Sequence, residues 1–299
     1  MSTKVATKAA PAPAPAAPEP PRPADKSRRA WDEAPRWQIY LPLGIYLVFT
    51  LIPFYWILLF SLRPAGSTSL VPWPMTFDHF EKVWTERSFG VYFQNSVLVG
   101  VATLVMTTLV ALAGGYALAR FNFKVKQLFM LALLCSQFVP GALLLVPLFE
   151  IFAELQMINS LASVIIAETV FQLPLSMILI SNFIKNVPYS LEEAAWVDGC
   201  NRFKAFRIVV LPLLRPGLIA VGSFAFVHSW NHFLFALMFL NNQHKQTIPV
   251  GLNTLMGADS VDLGALAAGG IIAAVPVVIV FAFIQKWLIT GFSAGAVKG

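Results

Sequence analysis

Six stretches of this chain are free, or nearly free, of formal charge over lengths that a water-surrounded fold seldom tolerates: residues 37–62, 88–119, 127–149, 216–244 and 263–285, together with 155–184, where Glu168 is the lone acid. Each can supply the roughly 20 apolar residues that cross about 30 Å of hydrocarbon as a helix. Lipid offers the backbone no partners, so each crossing must close its hydrogen bonds within itself. The composition agrees, with 57% hydrophobic and only 12% charged residues and a mean hydropathy of +0.70. The expectation is an all-α integral membrane protein with six transmembrane helices.

Basic residues orient those helices, because cytoplasmic flanks retain Lys and Arg. With both termini placed inside, every Lys and Arg except Arg63, Lys82, Arg87 and Lys245 falls on the cytoplasmic side. The formal charge of +6 is thereby explained by topology, and no nucleic-acid partner is needed. Residues 1–35 read as a Pro/Ala-rich disordered cytoplasmic tail, unable to bury enough apolar area to fold. No apolar core precedes residue 38, and seven prolines between 11 and 23 oppose an amphipathic leader. Residues 36–290 form the membrane domain and 291–299 a cytoplasmic C-terminal tail.

Chemistry-bearing constellations are sparse. Cys135 and Cys200 lie far apart in the pattern, and the four histidines form no HExxH arrangement, so no metal is expected. No GxxxxGK[ST] phosphate loop occurs. The chain itself carries no ATPase or other catalytic site and binds no cofactor, so any nucleotide chemistry must come from a partner. Between the first two runs, residues 63–90 read as a Pro/Trp turn and a short helix at the outer interface. The outer loop 241–267, with Pro249, Gly251, Asn253, Gly257 and Gly264, reads as water-facing and long enough to touch an external partner.

The loop 185–215 is built more elaborately than a connection requires. Pro188 ends the fourth run, Ser190 suits an N-cap, and Glu193 then occupies the third helical position, where its carboxylate can close a capping box. Ala194 and Ala195 give a narrow face that another backbone can approach, and Gly199 can take the left-handed conformation that closes a helix. Asn201 can cap a second helix, Arg202 to Val210, which is expected to stop at Pro212. A helix, turn and helix of this kind can serve as a docking knob. The alternative is that it lies on lipid headgroups, with Arg202, Lys204 and Arg207 toward phosphate.

Glu193-Ala194-Ala195, Gly199, Val209 and Leu211-Pro212, in that spacing, resemble the EAA loop of bacterial ABC-importer permeases; the family pattern usually has Ile at the place of Val209. Over most of residues 35–299 the chain is similar to the carbohydrate branch of that family, in particular to the smaller maltose-transporter permease. Trp230-Asn231 with Phe233-Leu234 and the terminal run Gly291 to Gly299 carry that likeness, whereas His232 stands where the branch often has an acid or amide.

The resemblance implies a type I ABC-importer permease fold with a cytoplasmic coupling helix, in a bacterial inner membrane. It implies a heterodimer with a second permease, a dimer of ATPase subunits that hold ATP and Mg, and an external sugar-binding protein. Residues implied at the ATPase contact are Leu191, Glu192, Glu193, Ala194, Ala195, Asp198, Gly199, Leu211 and Pro212, with Gly295, Val297 and Lys298 as a second, C-terminal contact. Asn253, Gly257 and Asp259 fall where the family inserts a loop into its binding protein.

The residues leave the sugar's route open. Glu168, Gln172 and Ser176 share one helical face, and Glu168, seven residues from Leu161, sits roughly 10 Å along the helix. An acid in a span lines a watery path or meets a partner, so pathway lining and helix packing both stand. His228, Trp230 and Asn231, with Phe224 and Phe235, combine hydrogen-bonding groups and aromatic faces suited to sugar; ordinary packing is the alternative. An ion-coupled secondary carrier is the competing class, but related halves and further intramembrane ionisable groups are missing. A channel filter and a convergent catalytic constellation are missing too.

Overall fold

The computed structural model describes the backbone of residues 36–257 and 261–296 and the side chains of 37–257 and 261–285. The tail assigned to residues 1–35 and the site candidates Asp259, Val297 and Lys298 lie outside the described residues, and Gly295 is described as backbone alone. Every regular element among the described residues is helical. Four helices are long and apolar enough to cross a membrane, and the number rises to six if each of two sharply bent helix pairs is one crossing.

The chain divides at Pro53–Phe54. Its first unit contributes the opening of α1, Arg36–Leu62, a helix with Pro42 inside it and exposed apolar side chains such as Phe49 and Tyr46. The second unit begins within α1 and holds the remaining elements. α2, Asp78–Thr85, is the short helix expected between the first two runs, with His79 and Val83 buried beneath it. α3, Phe89–Arg120, and α6, Leu161–Lys185, pack side by side through the middle of this unit. Gly114 and Gly115 make that approach possible. A Cβ at Gly115 would lie 2.7 Å from Ile180 Cγ2 and 3.1 Å from the Met177 carbonyl oxygen, and one at Gly114 would run into Met177 Sδ and Cε.

The third apolar run is not one straight crossing. α4, Lys126–Ser136, and the segment Gly141–Glu154, whose α-helical part is α5, Leu145–Glu154, meet at 94°. Pro140 causes the break: it lacks an N–H, and its ring disfavours helical geometry at Val139. Its own backbone is extended, at φ −61° and ψ 125°. The following run begins at Leu161 rather than 155, where the Ser160 hydroxyl caps the helix by accepting from the Ala162 N–H at 3.3 Å.

The fifth run also differs from expectation. α10, Arg215–Asn231, stops when His232 turns extended, and α11, Leu234–Phe239, is a separate short helix. The loop 241–267 keeps exposed stretches, at 241–245 and at Asn253, Thr254, Met256 and Gly257, while part of it is folded against the bundle. α12, Ile248–Thr254, buries Ile248 and Val250, and Ser96 Oγ accepts from the Ile248 N–H at 2.8 Å while Asn95 Nδ2 donates to the carbonyls of His244 and Gln246 at 3.0 and 2.9 Å. α13, Leu263–Ala296, is continuous through Pro276 and through most of the segment expected to be a tail.

Candidate functional site

The loop after α6 forms the expected helix, turn and helix with different capping. α7, Tyr189–Val197, starts directly after Pro188, which stands at the N-cap without a side-chain bond. Ser190 is therefore inside the helix, and the capping box proposed for Ser190 and Glu193 does not form. Proline has already set the backbone for entry, so a hydroxyl cap two residues later is not required. Gly199 closes the helix at φ +85°, with nothing within 4 Å of where a Cβ would be. Asn201 Oδ1 accepts from the Lys204 N–H at 2.8 Å, capping α8, Arg202–Ala205, as expected.

The second helix does not end at Pro212. A π-helical turn, Phe206–Val210, carries the chain into α9, Leu211–Leu213, and the Leu211 N–H reaches back five residues to the Phe206 carbonyl. Widening the turn accommodates the carbonyls that Pro212 cannot serve. The bend comes two residues later, and Arg202–Leu213 meets α10 at 73°.

One residue of α7 faces inward. Glu192 is fully buried, and its carboxylate accepts from Arg120 Nε at 2.6 Å and from the Tyr116 hydroxyl at 2.7 Å. Arg120 also donates to the Val187 carbonyl at 2.9 Å and lies over the Tyr189 ring. Beneath them Ala111, Ile180, Ile184, Val187, Val210, Leu214 and Val221 form one apolar cluster joining α3, α6, the loop and α10. The knob is thus anchored by charge and by packing. The opposite face is free: Leu191, Glu193, Ala194, Val197, Asp198 and Gly199 are exposed, Val197 at 87%, while Ala195 and Leu211 are half-buried and Pro212 exposed. Phe203 is 73% exposed, whereas Phe206 packs on Tyr116.

Glu192 appeared in the sequence as part of the contact surface, and its role as anchor was missed. The available signal was Arg120, which directly ends an uncharged run of about 30 residues, four residues ahead of Lys124. A cation at that boundary asks for an acid close by.

The polar groups of the bundle separate into three places. Glu168, Gln172 and Ser176 share a face as expected, and that face is turned inward, each residue being no more than 4% exposed. Neither Glu168 oxygen has a hydrogen-bond partner among the described residues, and the buried Thr103, Thr107, Thr169 and Ser229 hydroxyls and the Gln172 amide are likewise unpartnered. His232 Nδ1 lies 3.7 Å from Glu168 Oε1.

His228 and His232 stack at 5.4 Å and open onto a cleft of about 400 Å³ lined also by Ser136, Gln137, Phe171 and Phe235. Trp230 and Asn231 belong elsewhere. The Trp230 indole donates to the Ala273 carbonyl at 3.0 Å and packs with Phe93 and Phe226, and both residues border a second cleft of about 390 Å³ with Asn253 and Met256. The single sugar-binding stripe expected on the fifth helix is therefore two surfaces, because Trp230, two residues on from His228 in one helix, points roughly 200° around it. Phe224 is exposed and lines neither cleft.

Beside α2, Asp262 accepts from Lys82 Nζ at 2.8 Å and from the Ala265 N–H at 3.0 Å, and His79 Nε2 lies 3.0 Å from the Arg63 carbonyl. The Lys82 hydrogen bond holds the Asp262 carboxyl below the usual carboxylate range, against the opposing effect of partial burial. Gly257 is exposed. Among the described residues no three His, Cys, Asp or Glu side chains are grouped as a metal site.

Comparison with known proteins accords with this architecture. The chain is 34% identical to the diacetylchitobiose uptake system permease protein of Streptomyces coelicolor, over 86% of this chain and 94% of the relative. It is 31% identical to the trehalose transport system permease protein of Mycobacterium tuberculosis, over 84% and 93%. A solved bacterial ABC transporter involved in import of the acidic polysaccharide alginate has the same fold, with a TM-score of 0.72 at 20% identity over 88% of this chain and 98% of that one. Residues 110–293, which include the anchored knob and both clefts' histidine and tryptophan walls, match the family described as binding-protein-dependent transport system inner membrane component. A helical membrane bundle with this loop, covering nearly the full length of such relatives, is a member of that family of ABC-importer permeases.

Proposed function

We propose that the chain is one of two unlike permease halves of an ATP-driven sugar importer, coupling motions of an ATPase dimer to alternating access of a carbohydrate pathway. Both termini and the loop 185–215 are placed in the cytoplasm. ATP and Mg are held by the ATPase subunits, and this chain binds neither. The carbohydrate cargo is supported by the names of its relatives, among them the sulfoquinovosyl glycerol permease of Agrobacterium fabrum, 33% identical over 87% of this chain. An external binding protein is supported by a second alginate-importer structure, solved with a pentasaccharide-bound periplasmic protein, at a TM-score of 0.63.

The observation that carries the reading is α7: one face locked to α3 through Glu192 and Arg120, the other face bare. A docked helix transmits force only if it cannot slide on its own bundle. Glu193, Ala194 and Leu191 would seat in an ATPase groove, and the segment with Gly295, Val297 and Lys298 would supply a second contact. ATP-driven closure then favours one orientation of the halves over the other, a rigid-body switch. Sugar is assigned to the polar interior about Glu168, Gln172 and Ser176 and to the clefts bearing His228, Trp230 and Asn231. Asn253, Gly257 and Asp259 are assigned to the binding-protein contact.

The test is affinity purification of the chain from its host membrane with mass spectrometry of what accompanies it, followed by ATPase assay of the complex. A second permease, an ATPase and a sugar-stimulated hydrolysis rate are expected. A chain that moves solute in vesicles with no ATP-hydrolysing companion would overturn the reading in favour of an ion-coupled carrier.

A further inference from the structure

We propose that the cleft made by the break at Pro140 is a sugar subsite belonging to this chain itself, in which His232 bonds a ring hydroxyl and Glu168 positions His232 from behind. The proposal rests on the carbohydrate reading above and goes beyond it by assigning the contact residues. The cleft lies where the third run turns by 94°, with Ser136 and Gln137 at the end of α4 lining it together with Phe171 of α6 and His228 of α10. Gln137 Nε2 lies 3.4 Å from the Phe171 carbonyl, fixing the rim. At about 400 Å³ the space falls within the range of small-molecule sites.

Its lining has two chemistries in one place. Phe171, half-buried and backed by the buried Phe235 with ring centroids 5.1 Å apart, offers aromatic surface to the apolar C–H face of a pyranose. His228, His232, Gln137 and Ser136 offer donors and acceptors to its hydroxyls. No Lys, Arg, Asp or Glu lines the cleft, so a neutral sugar is favoured over a phosphorylated or acidic one.

Glu168 is the independent observation. It is 1% exposed, neither oxygen makes a well-aligned hydrogen bond among the described residues, and His232 Nδ1 lies 3.7 Å from Oε1, with the Ser229 and Thr103 hydroxyls also close to the carboxyl group. A buried carboxyl group is costly without a partner, and the His232 ring is placed to supply one. Facing one ring nitrogen, Glu168 fixes the tautomer with Nδ1 protonated and leaves Nε2 as an acceptor for a hydroxyl. His232 ends α10 in an extended conformation, φ −77° and ψ 119°, which turns its ring over Phe235 at 4.4 Å, at the cleft wall.

The assembled transporter in host membrane vesicles tests this with radiolabelled trehalose, maltose, N,N′-diacetylchitobiose and arabinobiose. Leu144→Cys, in a Cys135→Ser and Cys200→Ser background, reports access to the cleft by its rate of maleimide labelling. The transported sugar is expected to slow labelling, and His232→Phe to abolish that protection while raising KM about tenfold, the size of one lost hydrogen bond, with Vmax within about twofold. Glu168→Gln, which can still accept from Nδ1–H, is expected to keep most of the affinity, and Glu168→Leu to match His232→Phe. Should His232→Phe fail to accumulate, Gln137→Leu on the same rim carries the same expectation. Unchanged labelling and KM in a vesicle where uptake depends on this chain would overturn the subsite alone. Uptake of none of these sugars depending on this chain would overturn the carbohydrate function and the subsite with it.

Discussion

Arg120 Nε stands 2.6 Å from Glu192 Oε1, with both side chains no more than 10% exposed, so the end of α3 grips the exposed helix α7 from the inside. Removing one partner leaves a buried charge uncompensated, a loss of about 3–5 kcal/mol. Arg120→Leu is therefore expected to lower the melting temperature of the purified complex sharply and to uncouple ATP hydrolysis from uptake. Arg120→Leu with Glu192→Leu is expected to recover most of the stability, because two apolar groups need no partner. Equal melting temperatures for the single and double variants would contradict an ion-pair anchor.

Gly199 separates backbone conformation from contact. Its φ of +85° costs an L-residue about 1–2 kcal/mol, yet no atom lies within 4 Å of a new side chain. Gly199→Asn, which tolerates left-handed geometry, is expected to retain uptake, Gly199→Val to lose part of it, and Gly199→Pro, locked near φ −65°, to lose nearly all while still inserting. Membrane abundance measured beside uptake per ATP hydrolysed checks the order. The same coupling loss is expected of Glu193→Lys, whose side chain is exposed and does not touch the anchor.

Gly115 tests the central packing. A larger residue there must displace Ile180 or the α6 backbone at Met177, an overpacking of about 1–3 kcal/mol. Gly115→Leu is expected to lower the melting temperature and to expose the 185–215 loop to trypsin. Gly44→Leu, at a site with open space around it, should do neither.

Asp262 should give an acid limb to stability. Its carboxyl is held low by Lys82, with His79 Nδ1 at 4.0 Å as a weaker neighbour. A depressed folded value means that the stabilisation is complete above the ordinary carboxylate range and is lost as pH falls through the lowered value. Because both partners are about a third exposed or more, the effect is modest. Melting temperature followed from pH 6 down is expected to fall less steeply for Lys82→Met than for the parent; parallel curves would contradict the pairing.

Much of the site was legible because it depends on local rules. The Gly199 turn, the Asn201 cap and the close approach at Gly114 and Gly115 follow from what each residue permits its own backbone. Ser190 was misjudged because Pro188 had already started the helix, and a favourable side chain does not choose between two competing caps. Pro212 was misjudged for a related reason: a proline forbids one hydrogen-bond register, and a π turn supplies another.

The sequence by itself determined the class of solvent, the all-helical backbone, the Gly199 turn and the exposed knob, since charge, apolar length, Pro and Gly act through nearest neighbours. Only the tertiary structure decided which side chain of the knob faces inward, that the outer loop folds against Asn95 and Ser96, and that the histidines and Trp230 line different clefts. Glu192 meets Arg120 across 72 residues, and His232 meets Glu168 across a helix interface. Such pairings depend on how helices rotate and break against one another, and a 94° turn at Pro140 redirects every side chain beyond it.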